Sequence, residues 1–336
     1  MSILQNEMDS RIYREELQPR LPERIHDCHA HLWERSAFPA DFKIPPQSYM
    51  NRFGGEFTPE LFRKVMKELL PEQQFTFTAF GCPDHYTDRS KVPGPLAEGD
   101  FSEVLLSPAD PAEVIQERIE KNGCIGVKPY LNYAAEFYQK PANDVEIKDM
   151  ITPEQLDYLN RSNLAVTLHI PRPGRFSDPV NRRQMLELCE KYPNIKFIFA
   201  HIGRAYFMQG IFEANIEEFI QYPNAYFDTA MINHEGVLKY TFDHFPAERI
   251  LFGSDAPIAL LRGKSVEINN QYAYLMGENY AIGTSIIDTG HAVEFTTFYF
   301  EQLRAILNAT PADALEKVLY SNAQKLFNEV KSCQNK

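Results

Sequence analysis

The sequence predicts an α/β protein, a single (β/α)8 TIM barrel with loop insertions on its C-terminal face. Three observations carry that expectation. Eight short β-rich runs recur along the chain, amphipathic helical stretches separate most of them, and no Pro/Gly/Ser-rich linker divides the 336 residues into separate domains. Closed barrels routinely exceed ordinary domain size, so the length is no obstacle.

The strand runs are "RIHDCHAHL" (24–32), "FTFTAFGC" (75–82), "FSEVLLS" (101–107), "CIGVKPYL" (124–131), "LAVTLHI" (164–170), "IKFIFAHI" (195–202), "NAYFDTA" (224–230) and "RILFGSDA" (249–256). Between them, "PELFRKVMKELL", "PAEVIQERIEKN", "TPEQLDYLNRSN", "NRRQMLELCEKY", "IFEANIEEFIQY" and "EGVLKYTFDHF" read as helices, several entered through Thr-Pro or Asp. Two further helices are expected in "AVEFTTFYFEQLRAIL" and "PADALEKVLYSNAQKLFNEV". Irregular stretches near 33–58, 81–100, 171–180 and 257–290 each follow a strand, which puts them at the mouth where barrel enzymes keep their chemistry. The organisation is thus an N-terminal arm (1–20), the barrel (21–330) and a short tail (331–336).

A 44% hydrophobic content is enough for a sizeable core, and a net charge of −12 repels phosphate backbones and anionic lipid surfaces. Nucleic acid and membrane are therefore not expected as partners; a small-molecule substrate is, with a homo-oligomer as an option. The opening residues lack an apolar signal segment, and the five scattered cysteines contain no Cys-x-x-Cys pair. A reducing, cytoplasmic location with buried thiols is the expectation.

Chemistry concentrates where strands end. Side chains alternate along a strand, so His29 and His31 share a face with Asp27, while His26 and Cys28 take the other. An isolated His-x-His is as readily a packed pair as a metal grip. Here, however, the fifth strand ends on His169, the sixth on His201 and the eighth on Asp255, and barrel topology brings all these ends to one mouth. Imidazole and carboxylate together suit zinc, iron or manganese.

These residues resemble the amidohydrolase superfamily, and its amidohydrolase-2 branch in particular, through "HDCHAHL", the His169 and His201 strand ends, "RILFGSDAP" and the closing "YSNAQKLF", over residues 24–328. The resemblance implies that His29, His31, His169 and Asp255 hold one divalent metal, most readily Zn2+ with Mn2+ or Fe2+ as alternatives, and that His201 sits beside it. It leaves two options for Lys128 in "GVKPY": a polar contact in the mouth, or a carboxylated bridge between two ions with His201 on the second. It also implies a catalytic pair, Asp255 moving a proton and His201 stabilising developing charge. The activity it implies is hydrolysis of a small amide, ester or lactone by an activated water, with non-oxidative decarboxylation of an aromatic or unsaturated acid as the alternative. A barrel that keeps the fold but has lost the ion is the competing class.

Substrate contacts are sought in the loops. Arg172 and Arg175 in "HIPRPGR" and Arg204 in "HIGRAYF" suit a carboxylate, because guanidinium forks pair with it bidentately. Trp33 and His234 are further possible pocket walls, as are His85, Tyr86 and Arg89.

Overall fold

The computed structural model describes residues 6–277, 284–285, 287–288 and 291–334. Eight parallel strands follow one another around the sheet in chain order: β1 (Arg24–His31), β2 (Gln74–Phe80), β3 (Phe101–Leu106), β4 (Gly126–Pro129), β5 (Ala165–Leu168), β6 (Lys196–Phe199), β7 (Ala225–Asp228) and β8 (Ile250–Leu251). Every expected strand run overlaps one of them, β2 beginning one residue earlier than expected. The sheet closes where the chain leaves β8: Cys28 N donates to Phe252 O at 2.8 Å, Asp255 N to His29 O at 2.8 Å and His31 N to Ala256 O at 2.7 Å. The fold is a (β/α)8 barrel, and the seam of its closure runs directly beside the two histidines of β1.

The intervening helices form for local reasons. Thr58 caps Pro59–Leu69 and Thr152 caps Pro153–Arg161, each hydroxyl accepting the N–H three residues on, with proline in the first turn where its missing N–H costs nothing. The run expected as one helix at 211–222 is instead split into Met208–Phe212 and a 3-10 turn at Ile216–Phe219, because Asn215 takes a left-handed φ of 49° that interrupts the i→i−4 ladder. Likewise the helix expected from 292 begins at Phe298, where the Thr297 side chain accepts from Phe300 N. Phe199, Phe219 and Phe227 meet between sheet and helices, each fully buried and worth ~1.5–3 kcal/mol of apolar transfer.

Two features lie outside the expectation. The stretch read as irregular at 257–290 contains an antiparallel hairpin, β9 (Gly263–Ile268) and β10 (Gln271–Met276), turning through Asn269 (φ 50°) and Asn270 (φ 58°). Positive φ at both turn positions is the twist that hairpins favour, and asparagine tolerates it. The N-terminal segment forms a helix at Glu7–Ile12 that continues through Leu17, with Ile12, Tyr13 and Leu17 buried. Its buried Asp9 pairs with Arg262 at 2.5 Å and accepts from Thr296 at 2.7 Å, bracing the root of that hairpin. Among the described residues no helix is long and apolar enough to cross a membrane. Cysteines 28, 82, 124 and 189 are buried free thiols.

Candidate metal centre

A bulge in β1 between Asp27 and Ala30 breaks the simple alternation. His29 and His31 still converge on the barrel axis, but Asp27 does not join them. Its carboxylate accepts from the amides of His29 (3.0 Å) and Ser254 (2.9 Å) and from the Ser254 hydroxyl (2.5 Å), fastening β1 to the segment after β8. His26 faces the helix layer, its ring nitrogens occupied by Thr76, Thr78 and Gln324.

Three imidazoles are locked into one tautomer. Nδ1–H of His29 donates to Asp228 Oδ2 at 2.8 Å, that of His31 to Gly81 O at 2.9 Å and that of His201 to Ala230 O at 3.0 Å. Carboxylates and carbonyls only accept, so Nε2 of each ring is left as a bare lone pair. Those of His29 and His31 lie 3.6 and 3.5 Å from Asp255 Oδ1, and that of His201 lies 4.0 Å from Asp255 Oδ2. These separations exceed a hydrogen bond. They match the edge of about 3.4 Å between two ligands held tetrahedrally at about 2.1 Å from one ion. His31 Nε2 is buried with no hydrogen-bond partner, which a cation would supply. The donor set therefore fits a divalent metal.

The ligand atoms of His29, His31 and Asp255 lie within 4.8 Å of one another, and those of His29, His201 and Asp228 do so as well. In the second group, Asp228 is already committed: besides His29 Nδ1 it accepts the amides of His201 (2.7 Å) and Ala230 (3.0 Å). It orients the His29 ring and anchors the His201 backbone from behind them. No sequence reading pointed to Asp228, although "NAYFDTA" ends its strand on a ligand-type side chain as the other strands do. His169 stands beside this group rather than within it, its ring 5.1 Å from that of His201 and stacked at 5.7 Å on Tyr130, with Nδ1 buried and unpartnered.

Backbone geometry holds these groups in place. Asp255 has φ 72°, and His201, Ile202, Gly203 and Arg204 run consecutively at φ 58°, 48°, 60° and 64°. Four successive left-handed residues, one of them β-branched, form a costly turn of the kind that collects at functional sites. A side chain at Gly203 would meet the Phe176 ring at 2.8 Å. Burial lowers the basicity of His29, His31, His169 and His201, that of His31 to about 3, so the rings are neutral and ligand-competent at physiological pH. Burial raises Asp255, against the pull of Lys128. Lys128 is fully buried, its Nζ 3.2 Å from His29 Nε2, and burial lowers its basicity while Asp228, Asp255 and Glu103 oppose that.

A model of the amidohydrolase family matches residues 26–328. The chain belongs to this amidohydrolase family. No curated protein sequence matches it. Among solved structures, this amidohydrolase is similar to a probable 2-pyrone-4,6-dicarboxylic acid hydrolase from Acinetobacter baumannii (TM-score 0.54, 13% identity, covering 90% of this chain and 99% of that one). It is similar to 5-carboxyvanillate decarboxylase from Sphingomonas paucimobilis (TM-score 0.53, 13% identity, 91% and 99%) and to an amidohydrolase from Bifidobacterium longum subsp. infantis (TM-score 0.53, 13% identity, 91% and 99%).

Around the mouth of the amidohydrolase barrel, the three expected arginines have different surroundings. Arg172 is spent on Asp178, both of whose oxygens lie 3.1 Å from its Nε. Arg175 has no carboxylate partner among the described residues; its guanidinium sits 5.2 to 5.8 Å from the ring centres of Tyr206, Phe207 and Tyr272. Arg204 directs Nη1 at the carbonyls of Ile170 and Pro171 and leaves a buried Nε unpartnered. Both line a cavity of about 380 Å³ between the left-handed turn and the β9–β10 hairpin. Tyr272 lines it with Tyr206 stacked behind at 4.3 Å and Tyr274 edge-on at 4.8 Å, a tyrosine wall that sequence reading did not anticipate; the alternation of "QYAY" beside Asn-Asn was its signal.

Other expected contacts lie elsewhere. Trp33 is buried under its own loop and donates Nε1–H to Gly55 O at 3.1 Å. His234 caps the helix Glu235–His244 and pairs with Glu267 at 3.1 Å, inside a separate flank cavity of about 580 Å³. His85 makes an exposed pair with Glu136, Tyr86 is 64% exposed, and Arg89 is engaged by Asp110.

Proposed function

We propose that this amidohydrolase is a metal-dependent hydrolase that cleaves a small, carboxylate-bearing amide, ester or lactone by attack of an activated water, with Zn2+ as the resident ion and Mn2+ or Fe2+ as alternatives. The observation that carries this is the convergence of two unprotonated imidazole nitrogens and one carboxylate oxygen at ligand-edge distances, 3.5 and 3.6 Å. His29, His31 and Asp255 hold the ion, with His169 adjacent as the fourth position. A divalent cation there supplies Lewis acidity toward a carbonyl and acidifies a water toward neutrality.

The chain's own groups supply the rest. Asp255 takes the proton of the attacking water on Oδ2 and passes it to the leaving group. His201, whose Nδ1–H is held by Ala230, enters the reaction with a lone pair on Nε2; sharing the attacking water's proton with Asp255 makes that nitrogen the donor to the developing oxyanion until the leaving group receives the proton. Arg175 and Arg204 hold the substrate carboxylate, and the tyrosine wall shields it from water. We read the protein as cytoplasmic and active on a small molecule, without nucleic acid or membrane, as a monomer or a homo-oligomer.

Decarboxylation is the second reading, because the same ligands can chelate an acid while Asp255 protonates the carbanion carbon left behind when carbon dioxide departs. The Sphingomonas decarboxylase shares this fold at 13% identity. The test pairs metal analysis with product analysis. Purified protein is expected to hold a stoichiometric divalent ion that His29→Ala loses while its circular dichroism stays native, and dicarboxylic lactones are expected to yield ring-opened acid. Carbon dioxide from aromatic acids would move the protein to the lyase reading. Absence of any bound or restorable metal would remove both.

A further inference from the structure

Lys128 is a fully buried cation-bearing side chain, and its one hydrogen-bonding partner among the described residues is the nitrogen a metal needs most. Asp228 holds the Nδ1–H of His29, so Nε2 can only accept, and Lys128 Nζ approaches it at 3.2 Å. Whether ammonium or amine, Lys128 donates into this lone pair. Its ammonium form also faces the Phe80 ring at 4.7 Å, and no carboxylate of the described residues lies within ion-pair distance of it. Glu103, the nearest acid on β3, is turned instead to Thr167 Oγ1 at 2.9 Å.

We propose that Lys128 is a resident competitor for the metal: it occupies His29 in the metal-free protein and must yield that lone pair when an ion binds. The exchange conserves the site. A nitrogen–hydrogen contact breaks, a nitrogen–metal bond forms, and Lys128 is left among Asp228, Asp255 and Glu103, whose charges surround it. The metal is consequently held less tightly than two imidazoles and a carboxylate would hold it alone, and it exchanges readily.

This inference rests on the metal site proposed above, and the experiment separates the two. The full-length chain is stripped with chelator, and its Zn2+ affinity is measured by competition with a chromophoric chelator, for the native protein, Lys128→Met and Lys128→Gln. Removing the donor and its charge from beside the ion is expected to tighten binding about tenfold or more in both variants, with stoichiometry unchanged and no response to bicarbonate. Weaker binding, loss of one of two equivalents, or a bicarbonate-dependent gain would make Lys128 a ligand and overturn the proposal, as would unchanged affinity. The glutamine variant decides the matter should the methionine variant not fold. Failure of all three proteins to bind Zn2+ would remove the site itself, a different outcome.

Discussion

Two regions of this molecule, a flank cavity and the barrel mouth, gather histidine, arginine and carboxylate side chains and differ in how their charges are matched. The flank cavity, about 580 Å³, lies between the N-terminal helix, β9 and the helix Phe298–Ala309. There His234 has Glu267 at 3.1 Å, Lys264 has Glu301 at 2.7 Å, and Arg304 has Glu16 at 2.5 Å. At the barrel mouth, His31 Nε2 and Arg204 Nε are buried with nothing to bond, and Arg175 has only aromatic faces. The flank cavity is a solvated seam whose groups have satisfied one another. The mouth leaves donors and acceptors unmatched at a cost of about 1–3 kcal/mol each, which a ligand can recover. Unmet valence, rather than volume, marks the working end.

The sharpest test of that contrast is Asp255→Asn. The amide can neither take a proton from water nor return it, so turnover is expected to fall by several orders of magnitude even where metal analysis still finds part of the ion. His201→Ala comes next: metal content should stay full while kcat falls by about 10²- to 10³-fold, the usual effect of one charge-stabilising group. Loss of an ion equivalent on that substitution would instead place His201 on a second metal.

A paired measurement then compares the two regions directly. Arg175→Met is expected to raise KM for a carboxylate substrate by about tenfold or more, from the loss of a charge-assisted contact, and to leave its neutral ester unaffected. His234→Gln in the flank cavity should leave both kinetic constants within about twofold, since a mutually satisfied surface pair is worth ~0–1 kcal/mol. Equal effects from the two would abolish the distinction.

The smallest effect concerns acid stability. Burial holds His26 neutral in the fold, with its pKa lowered to about 3 against about 6.5 in the unfolded chain. As pH falls below about 6.5 the unfolded chain gains a proton that the folded ring refuses, so stability drops, by up to about 1.4 kcal/mol per pH unit, until the folded ring protonates near 3. Urea denaturation at pH 7 and pH 5 should show a smaller loss in His26→Gln than in the native protein. Identical losses would mean that His26 is not held neutral.

What the sequence made legible follows from which forces act locally. The eight strands were readable because buried parallel strands need apolar runs of β-formers, and the convergence of the mouth histidines with Asp255 because they sit at strand ends, where topology brings them together without knowledge of any loop. The amidohydrolase family followed from those same residues. Other details depend on partners distant in sequence. Asp27 looked equivalent to His29 until the β1 bulge gave it to Ser254, and the similar sequence settings of Arg172 and Arg175 gave no hint that Asp178 would neutralise only the first. The hairpin behind Tyr272 and Tyr274 was hidden by an asparagine-rich stretch, whose turn requires two positive φ values that composition does not announce.

The left-handed turn at His201–Arg204 has a mechanical consequence. It winds opposite to the helices around it, at a cost of roughly 1–2 kcal/mol for each non-glycine residue, and it is clamped between the Asp228 carboxylate at its start and the Ile170 and Pro171 carbonyls at its end. His201 and Arg204 are thus opposite ends of one wound spring. A change that lets the turn relax displaces the His201 imidazole and the Arg204 guanidinium together, so under the function proposed above substrate affinity and turnover are tied to a single backbone segment and cannot drift apart independently.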